Sequence, residues 1–563
     1  MKKTGSEIIC ESLIKEGVKI VFGYPGGAVL PLYDTLPRYD KRLRHILTRH
    51  EQGAAFAAAG FARAHGDIGV CIATSGPGAT NLVTGIADAM ADSVPLVAIT
   101  GQVASPLIGT DAFQEADMTG VTLPITKHNY LVDDVRDLPR VIKEACYIAR
   151  SGRPGPVHID VTKDAQINAA EYKYDNIRIN LPGYLVRDKA STKQINAASK
   201  LINAAKQPVI IAGHGVLLAG AMSELKEFAK KTDAAIVSTL HGMSSIPFDT
   251  KNYLGMLGMH GLAGANYAVA HADLIIAVGC RFDDRITGKL DDFARDAQVV
   301  HIDIDPAEIS KIIYANAPIV ADAKAALIAL NKKIQSHKRA SWHNAISSYD
   351  KKTTTALQHA RAKQKTASRR LQAVEVVHAV NKVAPDAWIV PDVGQHQMWT
   401  AMNFRFNKPH RLLSSGGLGS MGFGLPTAMG VKMAHPKDSV WCLTGDGGFM
   451  MNPQELMTLT QDKINIKIAI FNNGYLGMVR QWQELFYKKN YSSTPLLNPD
   501  FQLLGKACGI RTWKVTKPSE ALKMTRAAEK HDGPALVEYL IDFEENVFPM
   551  VPPGEALKNT RIS

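Results

Sequence analysis

The short run Gly445-Asp446-Gly447, closed by the pair Asn472-Asn473 at the end of the next apolar stretch, constrains the fold of this chain more than any other feature. Val440 to Thr444 predicts a strand, the glycines a tight turn, the following segment a helix, and Ile464 to Phe471 a second strand that delivers the asparagines. Asn452 as N-cap, Pro453 at the first helical position and Glu455 completing a capping box give that helix its own start signal. The result is one βαβ unit. Adjacent parallel strands bring Asp446 and Asn473 to the same carboxyl edge, where open α/β sheets bind ligands.

The donors gathered there are hard oxygens of the kind magnesium takes, and magnesium commonly shares its ligands with phosphates. Asp446 and the side-chain oxygen of Asn473 suit that role, and a backbone carbonyl near Tyr475 supplies a third protein ligand. Gly445, Gly447 and Gly448 leave room for a diphosphate to approach the backbone. Gly-Asp-Gly alone reads as a turn with an incidental aspartate; the asparagine pair after the second strand tips the reading toward a metal site.

With 563 residues, 46% of them hydrophobic, the chain has material for several cores, and three domains is the natural expectation. The net charge is +12, yet basic residues are dispersed except between Lys332 and Arg370, which reads as a solvated, partly helical linker rather than a nucleic-acid patch. A basic balance also suits acidic small molecules such as keto acids and diphosphates. The six cysteines are scattered without a C-x-x-C pair, as reduced core residues of a cytoplasmic chain would be. No apolar run reaches transmembrane length and no signal-peptide core follows Lys2-Lys3, so neither a membrane nor a nucleic-acid partner is expected.

Strand-like and helix-like runs alternate in three stretches. From Thr4 to about Lys163, Val70 to Thr74 and Pro95 to Thr100 are strand candidates, with a helix over Ala79 to Met90 between them. From about Leu201 to Leu330 the candidates are Val209 to Ala212, Leu274 to Gly279 and Val299 to Asp303. The third stretch begins near Leu371 and holds the metal motif, and the first and third read as distant copies of one fold. Glu51 sits at a strand-to-helix junction before the Ala-rich Gln52 to Ala64; by itself it reads as a first-turn acid favoured by the helix dipole.

Taken with Glu51, Asp446 and Asn473, a series of motifs occurs in order: Gly23-Tyr24-Pro25-Gly26-Gly27, Arg49-His50-Glu51, Thr74-Ser75-Gly76-Pro77-Gly78, Arg153-Pro154-Gly155-Pro156, Arg281-Phe282-Asp283-Asp284-Arg285 and Val393-Gly394-Gln395-His396-Gln397. Over nearly its whole length the chain resembles the acetohydroxyacid synthase branch of the thiamine-diphosphate-dependent enzymes. The resemblance implies an α/β chain of three doubly wound parallel-sheet domains: residues 1–170 binding the cofactor's pyrimidine, 190–335 binding FAD, a linker over 336–370, and 371–563 binding the magnesium diphosphate. It implies that Glu51 hydrogen-bonds the pyrimidine ring nitrogen, that Met421 wedges the cofactor into a bent shape, and that Val393, Gly394, Gln395, His396 and Gly419 line its site. Gln114, Phe113 and Lys163 then lie on the approach to the reacting atoms.

The middle stretch has no G-x-G-x-x-G run, so flavin binding follows from the resemblance and not from a Rossmann fingerprint. It assigns Arg153, Gly213, Gly215, Thr239, Leu240, Met259, His260, Gly279, Arg281, Asp283, Asp303 and Asp322 to the flavin. The implied reaction decarboxylates pyruvate and joins the remaining two-carbon unit to a second pyruvate or to 2-ketobutyrate, opening branched-chain amino-acid synthesis. A flavin oxidoreductase of the pyruvate oxidase type is the alternative. Trp482 discriminates, since the resemblance puts it in the pocket for the second keto acid, whose carboxylate Arg285 holds; the stripe Val479, Trp482 and Phe486 by itself reads as core. A homodimer or homotetramer with active sites at the subunit interface is implied, together with a small regulatory subunit as a further partner.

Overall fold

The computed structural model describes residues 1–368 and 370–562, so residue 369 of the basic segment lies outside the described residues. After β1 (Lys2–Thr4), the strands β2 (Ile20–Gly23), β3 (Arg44–Leu47), β4 (Gly69–Ala73), β5 (Leu96–Gln102), β6 (His128–Val132) and β7 (Val157–Thr162) form a six-stranded sheet in the order β3-β2-β4-β5-β7-β6. β8 (Ala169–Glu171) closes this unit by pairing antiparallel with β1. The middle sheet contains β9 (Pro208–Ala212), β10 (Ala235–Ser238), β11 (Tyr253–Met256), β12 (Leu274–Val278), β13 (Gln298–Asp303) and β14 (Ala317–Val320), ordered β11-β10-β9-β12-β13-β14. The last sheet contains β15 (Trp388–Pro391), β16 (Val440–Gly445), β17 (Lys467–Asn472), β18 (Arg511–Val515) and β19 (Ala535–Leu540), ordered β15-β16-β17-β19-β18.

Every strand pair inside these three sheets is parallel. Both faces of such sheets must be covered, which is why β4, β9 and β12 are unbroken apolar runs with every residue buried. The third sheet repeats the strand order of the first without its outermost strand. At the place of that strand, Leu412 makes a single parallel bridge to Ile389.

The helix Glu51–His65 shows how local sequence sets the start of an element. Its Ala-rich body has high helix propensity, His50 caps it by accepting the Gln52 N–H on Nδ1, and Gly66 ends it in the left-handed region at φ 81°. Its buried face crosses the helix Gly424–Ala434, where Phe56 meets Phe423 edge-on at 5.4 Å between ring centroids. These helices join the first and third sheets in one hydrophobic core. The middle sheet has a separate core on each face, and one of them takes Trp342 and Ile346 from the long helix Ala340–Ser368 and Val551 and Leu557 from the chain end. Those last residues lie against the middle sheet, with Val551 N–H donating to Met259 O at 2.7 Å.

Two expected elements differ. The helix expected over Ala79 to Met90 is two pieces, Pro77–Thr80 and Val83–Ala91, with Asn81 at the break donating to the Glu51 carboxylate at 3.0 Å. The capping box at Asn452 is not formed: the helix starts at Glu455, Asn452 Nδ2 donates instead to Gly422 O at 2.8 Å, and Glu455 accepts the Arg49 N–H at 2.9 Å. Long-range backbone partners have displaced the local ones.

Candidate functional site

Most of the predicted site residues follow the carboxyl ends of strands in all three sheets; Arg153, in the loop before β7, and Trp482, inside a helix, do not. In the third sheet Val393 to His396 follow β15, Asp446 follows β16 and Asn473 follows β17. In the middle sheet Gly213 and Gly215 follow β9, Thr239 and Leu240 β10, Met259 and His260 β11, Gly279 to Asp283 β12, and Asp322 β14, while Asp303 is the last residue of β13. In the first sheet Gly26 follows β2, Glu51 β3, Gly76 β4 and Lys163 β7. Parallel strands make this inevitable: all their carboxyl ends share one edge, and the turns there are free to carry chemistry.

Asp446 is buried at the start of a helical turn, and its Oδ2 accepts from Gly474 N–H at 2.9 Å and from Asn498 Nδ2 at 2.7 Å. Burial pushes its carboxyl up to about 6 against the pull of these donors. Asn472 donates to Glu538 Oε1 at 2.8 Å, which turns its own oxygen toward Gly474 N and Asn498. Asn473 Oδ1 accepts from Tyr475 N–H at 3.0 Å, and its Nδ2 lies 3.4 Å from Gln395 Oε1. The Tyr475 ring stacks on Phe543 at 5.4 Å.

Gln395 is spent on the protein itself, donating to Gln481 Oε1 at 2.9 Å and facing Glu545 O at 3.3 Å. His396 is buried beside Gly394 and Gly445, its Nε2 has no protein partner, and burial holds the ring neutral with a pKa lowered to about 3. Gly447 and Gly448 are closely overlaid: a Cβ on Gly447 would sit 2.8 Å from Leu476 and 3.6 Å from the Met421 methyl, and one on Gly448 3.0 Å from Asp392 Oδ2.

Between the middle and third sheets, and edged by loops of the first stretch at Ala91 to Ser93 and Gly152 to Pro154, lies a cavity of about 890 Å³. One wall carries Arg153, Gly215, Thr239, Leu240, Met259, His260, Gly279, Arg281, Asp283, Asp303 and Asp322; the other carries Val393, Gly394, Gly419 and Met421. Gly213 is packed behind the wall against Gly279. Asp303 is pushed up to about 6 by burial, His260 Nδ1 has no partner, and Asp322 and Asp283 each cap a helix start, accepting from Ala325 N–H and Arg285 N–H. Arg153 is held by Glu308 at 2.9 Å and Asp305 at 3.4 Å, so its charge is already matched.

At the same cavity stand Arg285 and Trp482. Arg285 has a side chain 58% exposed and Nη1 3.3 Å from Met259 Sδ. Trp482 is half-buried with Nε1 unpartnered and Phe486 edge-on at 5.9 Å, and Val479 is 49% exposed. Val479 and Trp482 therefore line an opening and are not core.

Glu51, Gln114 and Lys163 do not line this cavity. Glu51 is 8% exposed, bonded to Asn81 and close to Gly78; Gln114 is in the left-handed region at φ 61°, its backbone against Gly76. Phe113 beside it is 88% exposed. Lys163 is an exposed first residue of a short helix. The cavity thus gathers residues of all three stretches, the first through the loops at Ala91 to Ser93 and Gly152 to Pro154, while Glu51, Gln114 and Lys163 stand away from it.

Comparison with known proteins decides the family. The thiamine pyrophosphate enzyme family matches in three stretches: its N-terminal TPP binding domain over residues 3–121, its central domain over 195–330 and its C-terminal TPP binding domain over 392–539. An acetolactate synthase isozyme 2 large subunit of Escherichia coli is 44% identical, across 98% of each chain. An acetolactate synthase large subunit of Mycobacterium tuberculosis is 46% identical over 98% of this chain and 90% of that one. The chain belongs to the acetolactate synthase family. A probable acetolactate synthase large subunit of Methanocaldococcus jannaschii, 46% identical over 99% of this chain and 94% of its own, extends the likeness to an archaeon. The pyruvate oxidase alternative falls, because these full-length relatives are acetolactate synthases.

The site residues suit the groups such a synthase uses. Among the described residues no three His, Cys, Asp or Glu side chains gather around a metal. Asp446 with amide and carbonyl oxygens is a hard, singly charged donor set that leaves a divalent cation attractive to a diphosphate. The unpartnered His396 Nε2 beside two glycines fits a phosphate-bearing group, and the cavity with its unpartnered His260 Nδ1 fits one the size of a flavin dinucleotide. Asp392 and Asn498 are site residues that sequence reasoning misses. Asp392 is buried, pushed up to about 6, and accepts from Val393 N–H, Gly422 N–H and Thr444 Oγ1, fastening the turn that carries Met421. Its only signal is an acid at a strand end; for Asn498 it is an amide just before a proline.

Proposed function

We propose that the chain condenses pyruvate with a second pyruvate to give 2-acetolactate, or with 2-ketobutyrate to give 2-aceto-2-hydroxybutyrate, with carbon dioxide leaving. The observation that carries the reading is the convergence of Asp446 and Asn473 at the ends of the adjacent strands β16 and β17, one turn away from a cavity that opens at Trp482. Thiamine diphosphate, when bound, supplies the electron sink on which a keto acid loses carbon dioxide and its two-carbon remainder adds to a second keto carbonyl. Asp446, Asn473 and the Tyr475 backbone oxygen would hold Mg2+ and through it the diphosphate, with His396 offering Nε2. Residues 371–563 would then be the diphosphate-binding domain and 1–170 the pyrimidine-binding domain.

Glu51 would hydrogen-bond the pyrimidine nitrogen through one carboxyl oxygen, while Asn81 fixes the other. Arg285 binds the carboxylate of the second keto acid, and Trp482 packs against its alkyl end. FAD would fill the cavity against residues 190–335, its binding domain, and serve the fold, since decarboxylation and ligation need no electron acceptor. Because Glu51, Gln114 and Lys163 stand away from that cavity, a second copy is proposed to complete each site, in a homodimer or homotetramer. The large-subunit names of the relatives support a separate small regulatory subunit. Six free cysteines, five of them buried, support a cytoplasmic setting, and among the described residues no helix is long and apolar enough to cross a membrane.

The test is to incubate the purified chain with pyruvate, thiamine diphosphate, Mg2+ and FAD and to identify the product. Acetolactate is expected, together with mixed product when 2-ketobutyrate is added. Carbon dioxide release without a ligated product would refute the reading.

A further inference from the structure

The chain leaves the metal turn, runs through the helix Gly477–Phe486 and comes back. On its return Leu476 N–H donates to Thr494 O and Leu496 N–H to Gly474 O, both at 2.8 Å, so residues 494–496 are zipped onto residues 474–476. This places the Asn498 amide nitrogen 2.7 Å from Asp446 Oδ2 and 3.2 Å from Asn472 Oδ1. Asn472 has no freedom to turn away, because its own nitrogen is bound to Glu538, which Gln502 also approaches at 3.1 Å. Asn498 Nδ2 is thus set between two acceptors, and Asp446 Oδ2 between two donors, Asn498 and Gly474 N–H at 2.9 Å. Among the described residues no other side chain donates to this carboxylate.

Resting on the assignment of Asp446 as a metal ligand, we propose that Asn498 is the positioning residue that keeps Asp446 a one-oxygen ligand and thereby sets the preference of the site for Mg2+ over Ca2+. With Oδ2 saturated, Oδ1 is the oxygen presented to a cation. Mg2+ demands near-octahedral geometry at roughly 2.0–2.1 Å and is content with one oxygen per carboxylate, whereas Ca2+ accepts longer bonds of about 2.3–2.6 Å and takes carboxylates through one oxygen or both. Removing the Asn498 donor leaves only Gly474 N–H on Oδ2 and eases the two-oxygen mode, which helps only the larger ion. Partners of metal ligands are typically worth about 10–100-fold in affinity.

The experiment measures thiamine diphosphate binding to the full chain by calorimetry, with Mg2+ or with Ca2+ as the only divalent cation. Asn498→Ala is expected to weaken Mg2+-supported binding about 10-fold or more while leaving Ca2+-supported binding equal or tighter, so the ratio of the two affinities falls by at least that factor. Asn498→Ser, whose hydroxyl still donates, is expected to fall between Asn498→Ala and the wild type, and serves if the alanine variant does not fold. Loss of both affinities in equal proportion, or of neither, overturns the proposal for Asn498 and leaves the metal site standing. Asp446→Ala separates the two questions: wild-type affinity with both ions in that variant refutes the metal assignment itself.

Discussion

Replacing Glu455 with Gln exchanges one oxygen for a nitrogen at the point where the first sheet's helix rests on the third sheet. Oε1 accepts from Arg49 N–H at 2.9 Å and Oε2 from Thr458 Oγ1 at 2.8 Å, and the side chain is fully buried. Burial raises its carboxyl from 4.5 to about 7 even though Thr458, Arg49 and His50 all donate to it. With the folded value the higher one, the folded chain keeps a proton that the unfolded chain has released. The contribution to stability is therefore complete below 4.5 and is lost as pH rises to about 7. At roughly 1.4 kcal/mol per pH unit the loss reaches about 3 kcal/mol by pH 8. An amide does not titrate and can meet both partners, its oxygen accepting from Arg49 and its nitrogen donating to the Thr458 hydroxyl. Denaturant unfolding, followed through the buried Trp388 and Trp441 of the third sheet, is expected to favour E455Q by about 3 kcal/mol at pH 8 and by less than about 1 kcal/mol at pH 5. A gap that does not change with pH, or a variant less stable than wild type at pH 8, refutes the buried proton.

Glu51→Gln is expected to fold and bind cofactor yet slow deuterium exchange at the thiazolium carbon by about 10²–10⁴-fold, because an amide cannot share a proton as a carboxyl does; unchanged exchange removes Glu51 from that role. Trp482→Leu is expected to lower the ratio of acetohydroxybutyrate to acetolactate when both second substrates compete, by a factor corresponding to about 1–3 kcal/mol, with catalysis retained; a constant ratio returns Trp482 to a packing role. Arg285→Lys is expected to raise KM for both second substrates, since a point charge replaces a planar fork, and an effect on one substrate alone would contradict the carboxylate contact. A redox-inactive flavin analogue that binds normally is expected to support full activity, and an inactive loaded chain would assign the flavin an electron-transfer role.

What the sequence makes legible is what local physics decides. β4, β9, β12 and β16 lie within a residue or two of their expected positions because a buried parallel strand must be an unbroken apolar run bounded by turns. Asp446 and Asn473 are legible for a related reason: residues after adjacent parallel strands share an edge whatever else the chain does. Asn452, Pro453 and Glu455 show the limit. They satisfy a local capping pattern, yet Glu455 bonds to a backbone 406 residues away and Asn452 to Gly422, and neither partner leaves a trace in the neighbouring sequence. Asn498 is hidden likewise, since its meaning comes from a return loop whose path no periodicity records. The break at Asn81 is a third case, where a helical pattern yields to a side chain required elsewhere.

The crossing of the helices Glu51–His65 and Gly424–Ala434 limits what can move. A Cβ on Gly60 would lie 2.3 Å from Thr427 O, and one on Gly430 1.9 Å from Ala57 O, so the two backbones touch with nothing between them. A joint of this kind has no slack: sliding by a fraction of an ångström drives a carbonyl into a Cα, and separation strips both helices of their buried faces at once. The first and third sheets therefore travel as one rigid block. Opening that admits a large ligand then falls to the middle sheet moving against that block, or to the segment between Tyr487 and Ser493, ahead of the stretch zipped onto residues 474–476, which gives substitutions there leverage over entry and release rates that substitutions along the crossing lack.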